Sequence, residues 1–250
     1  MSSMRKVYMG RFVGRCLALV AVTFLMFTAP EQFDVLEKGG FFQKLSLLHL
    51  LWAVWLVDML TQLVPATKAV VALGSQKSFL KHFRPALPPI TAHSLRERMV
   101  RATKRAYIVF VIWAILIAAL GILYGKKIIG DLGLFWISCL FYVCDLICVL
   151  FWCPFRHFLM KNRCCTTCRI FNWDHIMMFT PMVYVCGFYA YSLLLMAAVV
   201  WVVWELSVLL HPERFWFNSN ETLRCSSCTD KLCTQYCQKL RPAAKADRNE

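Results

Sequence analysis

Five apolar runs divide the chain, at residues 16–28, 45–64, 107–124, 132–152 and 176–210. An apolar stretch of about 18 residues or more with few charges reads as a membrane-crossing helix. Composition agrees. The chain is 59% hydrophobic and only 17% charged, whereas a soluble domain carries about 25% charged residues. Too few charges remain to coat a soluble globule. The expected fold is an all-α polytopic transmembrane helix bundle of about five spans over residues 1–210, followed by a cysteine-rich C-terminal tail, 211–250.

The first and last runs need separate treatment. The first follows Arg5, Lys6, Arg11 and Arg15, a charged lead that also describes a secretory signal. Pro30 directly follows Ala29, and no small-x-small cleavage site precedes it. The expectation is therefore an uncleaved first span starting near Tyr8, with Arg11 and Arg15 snorkelling to the interface. At about 1.5 Å per residue the last run is longer than one span needs and barely long enough for two. Pro181 and Gly187 offer kink points, but no strong turn signal splits it. One long, tilted or kinked helix is expected.

Lys and Arg in short loops set orientation. Loop 67–106 holds Lys68, Lys77, Lys81, Arg84, Arg96, Arg98, Arg101, Lys104 and Arg105 against a single Glu97, so it is expected in the cytoplasm with the N-terminus. Loop 31–44, with Glu31, Asp34 and Glu37, then faces out; Lys126 and Lys127 fit this less well. The net charge of +14 thus marks topology and a surface for anionic lipid headgroups rather than a nucleic-acid site. Within the loop, Pro85, Pro88 and Pro89 mark a linker, and "SLRERMVRATKRA" reads as an interfacial helix feeding the third span.

Thirteen cysteines are many for 250 residues. "NRCCTTCRIFNWDH" lies in a loop, 153–175, placed in the cytoplasm by the charge rule. Cys153, Cys164, Cys165 and Cys168 there have the spacing C-x10-C-C-x2-C. A CxxC pair lets two thiolates reach one metal from a tight turn, and His157 and His175 are spare ligands. Arg163 and Arg169 flank the thiols and favour thiolate. Adjacent Cys164 and Cys165 do not easily ligate one metal together, so one is a spare. In the tail, "CSSCTDKLCTQYC" places Cys225, Cys228, Cys233 and Cys237 at C-x2-C-x4-C-x3-C. This suits a tetrathiolate zinc or iron–sulfur site, but the spacing does not choose the metal. Two disulfides, or free thiols, are the alternatives. Five spans put the tail outside, opposite the loop cluster; a turn-back within 176–210 would put both on one side. Cys139, Cys144, Cys148 and Cys186, inside spans, read as small hydrophobes, with Cys144 and Cys148 on one helix face.

Ionisable groups at membrane depth are costly and face the bundle interior or an interface. Asp58 and Asp145 are placed inside, while Glu205 and His49 lie near enough to span ends to reach headgroups. Asp58 and Asp145 are candidates for a proton or cation path, with interhelical hydrogen bonding as the alternative. Trp201, Trp204, Trp216 and Phe217 read as an aromatic belt. No Gly-rich phosphate loop, HExxH or G-x-S-x-G motif is present, so no catalytic residue is assigned.

The stretches "WCPFRHFLMKNRCCTTCRIFNWDHIMMFTPMV" and "HPERFWFNSNETLRCSSCTDKLCTQYC" resemble a family of uncharacterised, cysteine-rich polytopic bacterial membrane proteins. The resemblance extends over most of the chain, including "ALGSQKSF" and "FYVCDLICVLFWCPF". It implies a bacterial plasma membrane and carries no activity, cofactor or site residue across. Three functions follow as expectations. The first is a redox or electron-transfer protein with cysteine-ligated iron–sulfur or zinc. The second is a transporter for a soft metal or small cation. The third is a non-catalytic scaffold with structural cysteines. The bilayer is the implied partner, with a protein partner or second copy left open.

Overall fold

The computed structural model describes residues 3–64, 78–162, 164–224 and 226–227. They form an all-α bundle: α1 (Ser3–Thr28), α2 (Leu47–Leu63), α3 (Ala92–Gly125), α4 (Asp131–Leu150), the short α5 (Asp174–Phe179) and α6 (Phe188–Leu210). Among the described residues, α1, α3, α4 and α6 are long and apolar enough to cross a membrane, and α2 is a shorter apolar helix. The protein is a membrane protein.

Local chemistry sets the helix ends. Ser46 caps α2 by accepting from the Leu48 N–H at 3.1 Å, and His49 Nδ1 accepts from the Ser46 N–H at 3.0 Å. This reciprocal cap satisfies donors that have no intrahelical partner. His49 Nε2 then donates to the Phe41 carbonyl at 2.9 Å. His49 is therefore a structural cap rather than a group reaching headgroups. Thr91 caps α3. The basic interfacial segment and the third span form one uninterrupted helix of 34 residues, about 50 Å long.

The run 176–210 is not one long helix. After α5 the chain tightens into 3-10 geometry at Thr180–Tyr184, becomes extended, and re-enters a helix only at Phe188. Pro181 brings no N–H to the helix ladder, and the Thr180 hydroxyl donates to the Met177 carbonyl at 3.0 Å. The turn itself needs Gly187. A β-carbon there would stand 2.2 Å from the Leu36 carbonyl oxygen, so only glycine lets α6 start against the α1–α2 connection.

The broken segment crosses the bundle beside α3. Trp113 donates to Thr180 Oγ1 at 2.9 Å and Tyr184 to the Ile117 carbonyl at 3.0 Å, so the two run in the same direction. It begins beside the C-terminal end of α2, where Gln62 donates to Asp174 at 2.8 Å. It ends beside the opposite end of the bundle, at Leu36. α6 then returns. Tyr189 near its start donates to the Leu48 carbonyl at 3.1 Å, and Glu205 near its end meets Arg169 of the cysteine loop. Five helices and one broken segment thus make six passes among the described residues. The cysteine loop and the start of the tail lie at the same end as the N-terminus. An antiparallel bridge between Pro85 and Asn220 holds that tail down: the Ala86 N–H donates to the Ser219 carbonyl at 3.0 Å and the Glu221 N–H to the Arg84 carbonyl at 2.8 Å.

α1 packs mainly on α4, and α2 on α6. Between them Trp55, Phe135, Phe179 and Tyr189 are fully buried and meet at centroid separations of 5.1–6.4 Å in tilted or edge-on pairs. This aromatic centre lies between the α1–α2 connection at one end and a set of charged side chains toward the other. A topology reporter fused after Arg224 is expected to give the same sidedness as one at the N-terminus. A five-span chain would give opposite sidedness.

Candidate functional site

Arg15 does not reach the interface. It is 9% exposed and lies between α2 and α4. Its Nη1 donates to Asp145 Oδ2 at 2.6 Å and to the Tyr142 carbonyl at 2.7 Å, and Nη2 donates to Asp58 Oδ2 at 3.2 Å. The guanidinium also sits 3.9 Å over the Tyr142 ring, a favourable cation–π position. Asp145 lies about 8 Å inside the end of α4, too deep for an unpaired carboxylate.

α5 extends this cluster. His175, 3% exposed, brings Nε2 to 3.6 Å from Asp58 Oδ2 and Nδ1 to 3.3 Å from Asp174 Oδ1. The Nδ1 approach is a close contact without hydrogen-bond geometry, since both of its atoms lack a hydrogen-bond partner. Gln62 donates to Asp174 Oδ2, and its own Oε1, also buried, has no partner. The broken helix therefore begins on a buried network of one guanidinium, three carboxylates and one imidazole. The sequence reading placed Asp58 and Asp145 inside but missed Arg15, Asp174 and Gln62, and took His175 for a metal ligand.

Two cavities flank the network. One, about 810 Å³, lies between α1 and α2 and exposes Arg11, Arg15 and Asp58. The other, about 490 Å³, lies between α3, α4 and the cysteine loop, and its wall carries Asp145, Asp174 and five cysteines: Cys144, Cys148, Cys153, Cys165 and Cys168. Cys164 is not part of that wall.

The thiols differ in character. The Arg156 N–H donates to Cys153 Sγ at 3.3 Å, and the Arg156 guanidinium to Cys165 Sγ at 3.2 Å. Cys148 and Cys153 line the same cavity wall. The neighbouring Cys148 thiol and the Arg156 N–H together draw the Cys153 thiol down to about 7 despite its partial burial. Burial pushes Cys165 and Cys168 up to about 12. Arg169, expected to activate these thiols, instead pairs with Glu205 through Nη1 at 2.6 Å and through a second, shorter Nη2 contact to the other carboxylate oxygen. Trp173 Nε1 also donates to Glu205 at 2.6 Å. Glu205 is thus part of an internal clamp between the cysteine loop and α6, not a headgroup contact. The activating cation is Arg156, and Arg163 lies outside the described residues.

Among the described residues, no three His, Cys, Asp or Glu side chains converge closely enough to hold a metal ion. Cys153, Cys165 and Cys168 share a cavity wall without closing into a ligand set. Cys225, Cys228, Cys233 and Cys237 lie outside the described residues. No family model, curated protein or solved structure matches the chain.

Two outcomes are expected. Arg15→Ala leaves two buried carboxylates without their counter-charge and should cost about 3–5 kcal/mol in stability. Adding Asp58→Asn and Asp145→Asn should recover part of that loss, read from thermal unfolding in detergent. The rate of Cys153 alkylation should rise with pH through a midpoint near 7 as the thiolate forms, while Cys165 and Cys168 remain slow up to about pH 9. Iodoacetamide pulses followed by peptide mass spectrometry measure both.

Proposed function

We propose that the chain carries a proton, or a monovalent cation in its place, through the Arg15–Asp58–Asp145–Asp174–His175 network of a bacterial plasma membrane. The N-terminus, cysteine loop and tail lie on the cytoplasmic side, with the basic part of α3 against anionic headgroups. The observation that carries this reading is the charge balance. Arg15 pairs with Asp58 and Asp145, Asp174 lies against His175, and Arg11 on the next turn of α1 lines the cavity that Asp58 also lines. Two guanidiniums against three carboxylates leave one negative charge unmatched, which one more proton or cation would neutralise. His175, touching both Asp58 and Asp174, is the natural seat for that proton.

The surroundings support movement as well as storage. One cavity reaches Arg15 and Asp58, and the other reaches Asp145 and Asp174. Toward the opposite end of the bundle, Trp55 Nε1 and Ser138 Oγ are buried without hydrogen-bond partners. Trp55 lies one turn from Asp58 on α2, and Ser138 two turns from Asp145 on α4. Buried polar atoms of this kind call for water, and water would extend the network into the aromatic centre. A discontinuous segment ending on ionisable groups is also a recurring way to build an ion site in a bundle.

Proteoliposomes with internal pyranine, polarised by a potassium gradient and valinomycin, test this. Wild-type protein should pass protons faster than empty vesicles. Asp145→Asn and His175→Gln should each lower the flux at least tenfold while the protein still elutes as a folded species. Current with no pH change, carried by sodium, would assign the cation instead. Flux equal to empty vesicles, or unchanged in both variants, would sink the reading.

A further inference from the structure

The 490 Å³ cavity has chemistry that ion carriage does not use. We infer that Cys148 and Cys153 form a redox-active dithiol that is oxidised to a disulfide by a lipophilic quinone-class acceptor entering this cavity from the bilayer.

Three observations carry the inference. The first is geometric. The Trp152 N–H turns back to the Ile147 carbonyl at 3.1 Å, which keeps Cys153 at the end of α4 close to Cys148, and both cysteines line the same cavity wall. Cys165, in contrast, donates to the Cys148 carbonyl at 3.5 Å, and Cys164 is absent from the wall. The second is access. Leu116, Ile147 and Trp152 line the cavity and are partly exposed on faces of α3, α4 and the residues after α4 that hydrocarbon covers. These exposed apolar residues give a lipophilic molecule a lateral way in from the bilayer. The third is the fit. Trp113, Phe141 and Phe155 give aromatic walls, and the volume suits a ring-sized ligand, since small-molecule sites measure about 300–1,000 Å³. The Arg156 guanidinium at the rim supplies a positive charge for an oxygen that gains negative charge.

The electron balance closes with these partners alone. The Cys153 thiolate adds to an electron-poor ring carbon, forming one C–S bond, and the ring oxygen takes up the electron pair. The Cys148 sulfur, giving up its proton, then attacks Cys153 Sγ. The S–S bond forms and the C–S bond breaks. The ring leaves with two electrons and collects the two thiol protons as a hydroquinone. Two thiols and one quinone thus become one disulfide and one hydroquinone. The low-lying Cys153 thiolate is suited to the first attack. This inference stands on different side chains from the proton network and does not depend on it.

The experiment uses the full chain, reduced and in detergent under argon, with decylubiquinone as the acceptor and oxidised glutathione as a water-borne comparison. After N-ethylmaleimide treatment, peptide mass spectrometry reads which thiols escaped alkylation, and hydroquinone is quantified in parallel. The expected result is a Cys148–Cys153 disulfide with about one hydroquinone per protein, formed at least tenfold faster with decylubiquinone than with glutathione disulfide. Cys148→Ser should abolish both products, and Phe141→Ala should slow them. Full alkylation of both cysteines in wild-type protein would overturn the dithiol, a measurement that needs no variant. Faster oxidation by glutathione disulfide would overturn the lipophilic acceptor. Undiminished hydroquinone from Cys148→Ser would show that other thiols do the work.

Discussion

The architecture depends on one buried cation. Arg15 joins α1 to α2 through Asp58 and to α4 through Asp145, and Asp58 in turn meets His175 of α5. Removing charges from water is costly, and that cost is offset only if geometry and hydrogen bonding are nearly complete. Four helices must therefore hold their relative depth and rotation to within a hydrogen-bond length. Apolar packing between helices in lipid has no such directionality. The ion pair sets register where Leu, Val and Phe would let helices slide.

The same network explains why the chain breaks at α5. A continuous helix from 174 to 210 would carry α6 away from the α1–α2 connection, and Glu205 away from Arg169. Instead, Asp174 and His175 enter the network at one end of the segment, and Gly187 closes on Leu36 at the other. The short crossing between them is filled by 3-10 and extended backbone, with Thr180, Trp113 and Tyr184 supplying hydrogen bonds. Non-helical backbone at membrane depth is tolerated when protein surrounds it in this way.

How far the sequence was legible follows from which forces are local. Helix positions and the all-α class came from apolar run length, and the depth of Asp58 and Asp145 from their distance to the run ends. The turn-back at Gly187 was not legible, because its cause is the approach of a carbonyl from Leu36, far away in sequence. Arg15 read as an interfacial residue because hydropathy measures distance from the span end and is blind to an acidic partner on another helix. The cysteines show the same limit. Spacing grouped Cys153 with Cys164, Cys165 and Cys168, whereas the cavity wall keeps Cys153, Cys165 and Cys168, leaves out Cys164, and adds Cys144 and Cys148, which apolar context had marked as filler. Arg156, not Arg169, proved to be the cation at the thiols, since a π-turn and not a regular helix follows Pro154. Side chains whose role is set by long-range contacts are those a linear pattern misassigns.

The length of α3 has a mechanical consequence. Its basic first half and its membrane half are one rod, and Arg105 at their junction donates to the Met160 carbonyl at 2.9 Å. A helix bends little over such a distance, so the rod acts as a lever whose fulcrum is the cysteine loop. A displacement of its basic end is delivered to Trp113 and Leu116, the residues that frame the thiol cavity on that side. The width of a chamber about 490 Å³ in size is thereby tied to a helix end that lies well outside it.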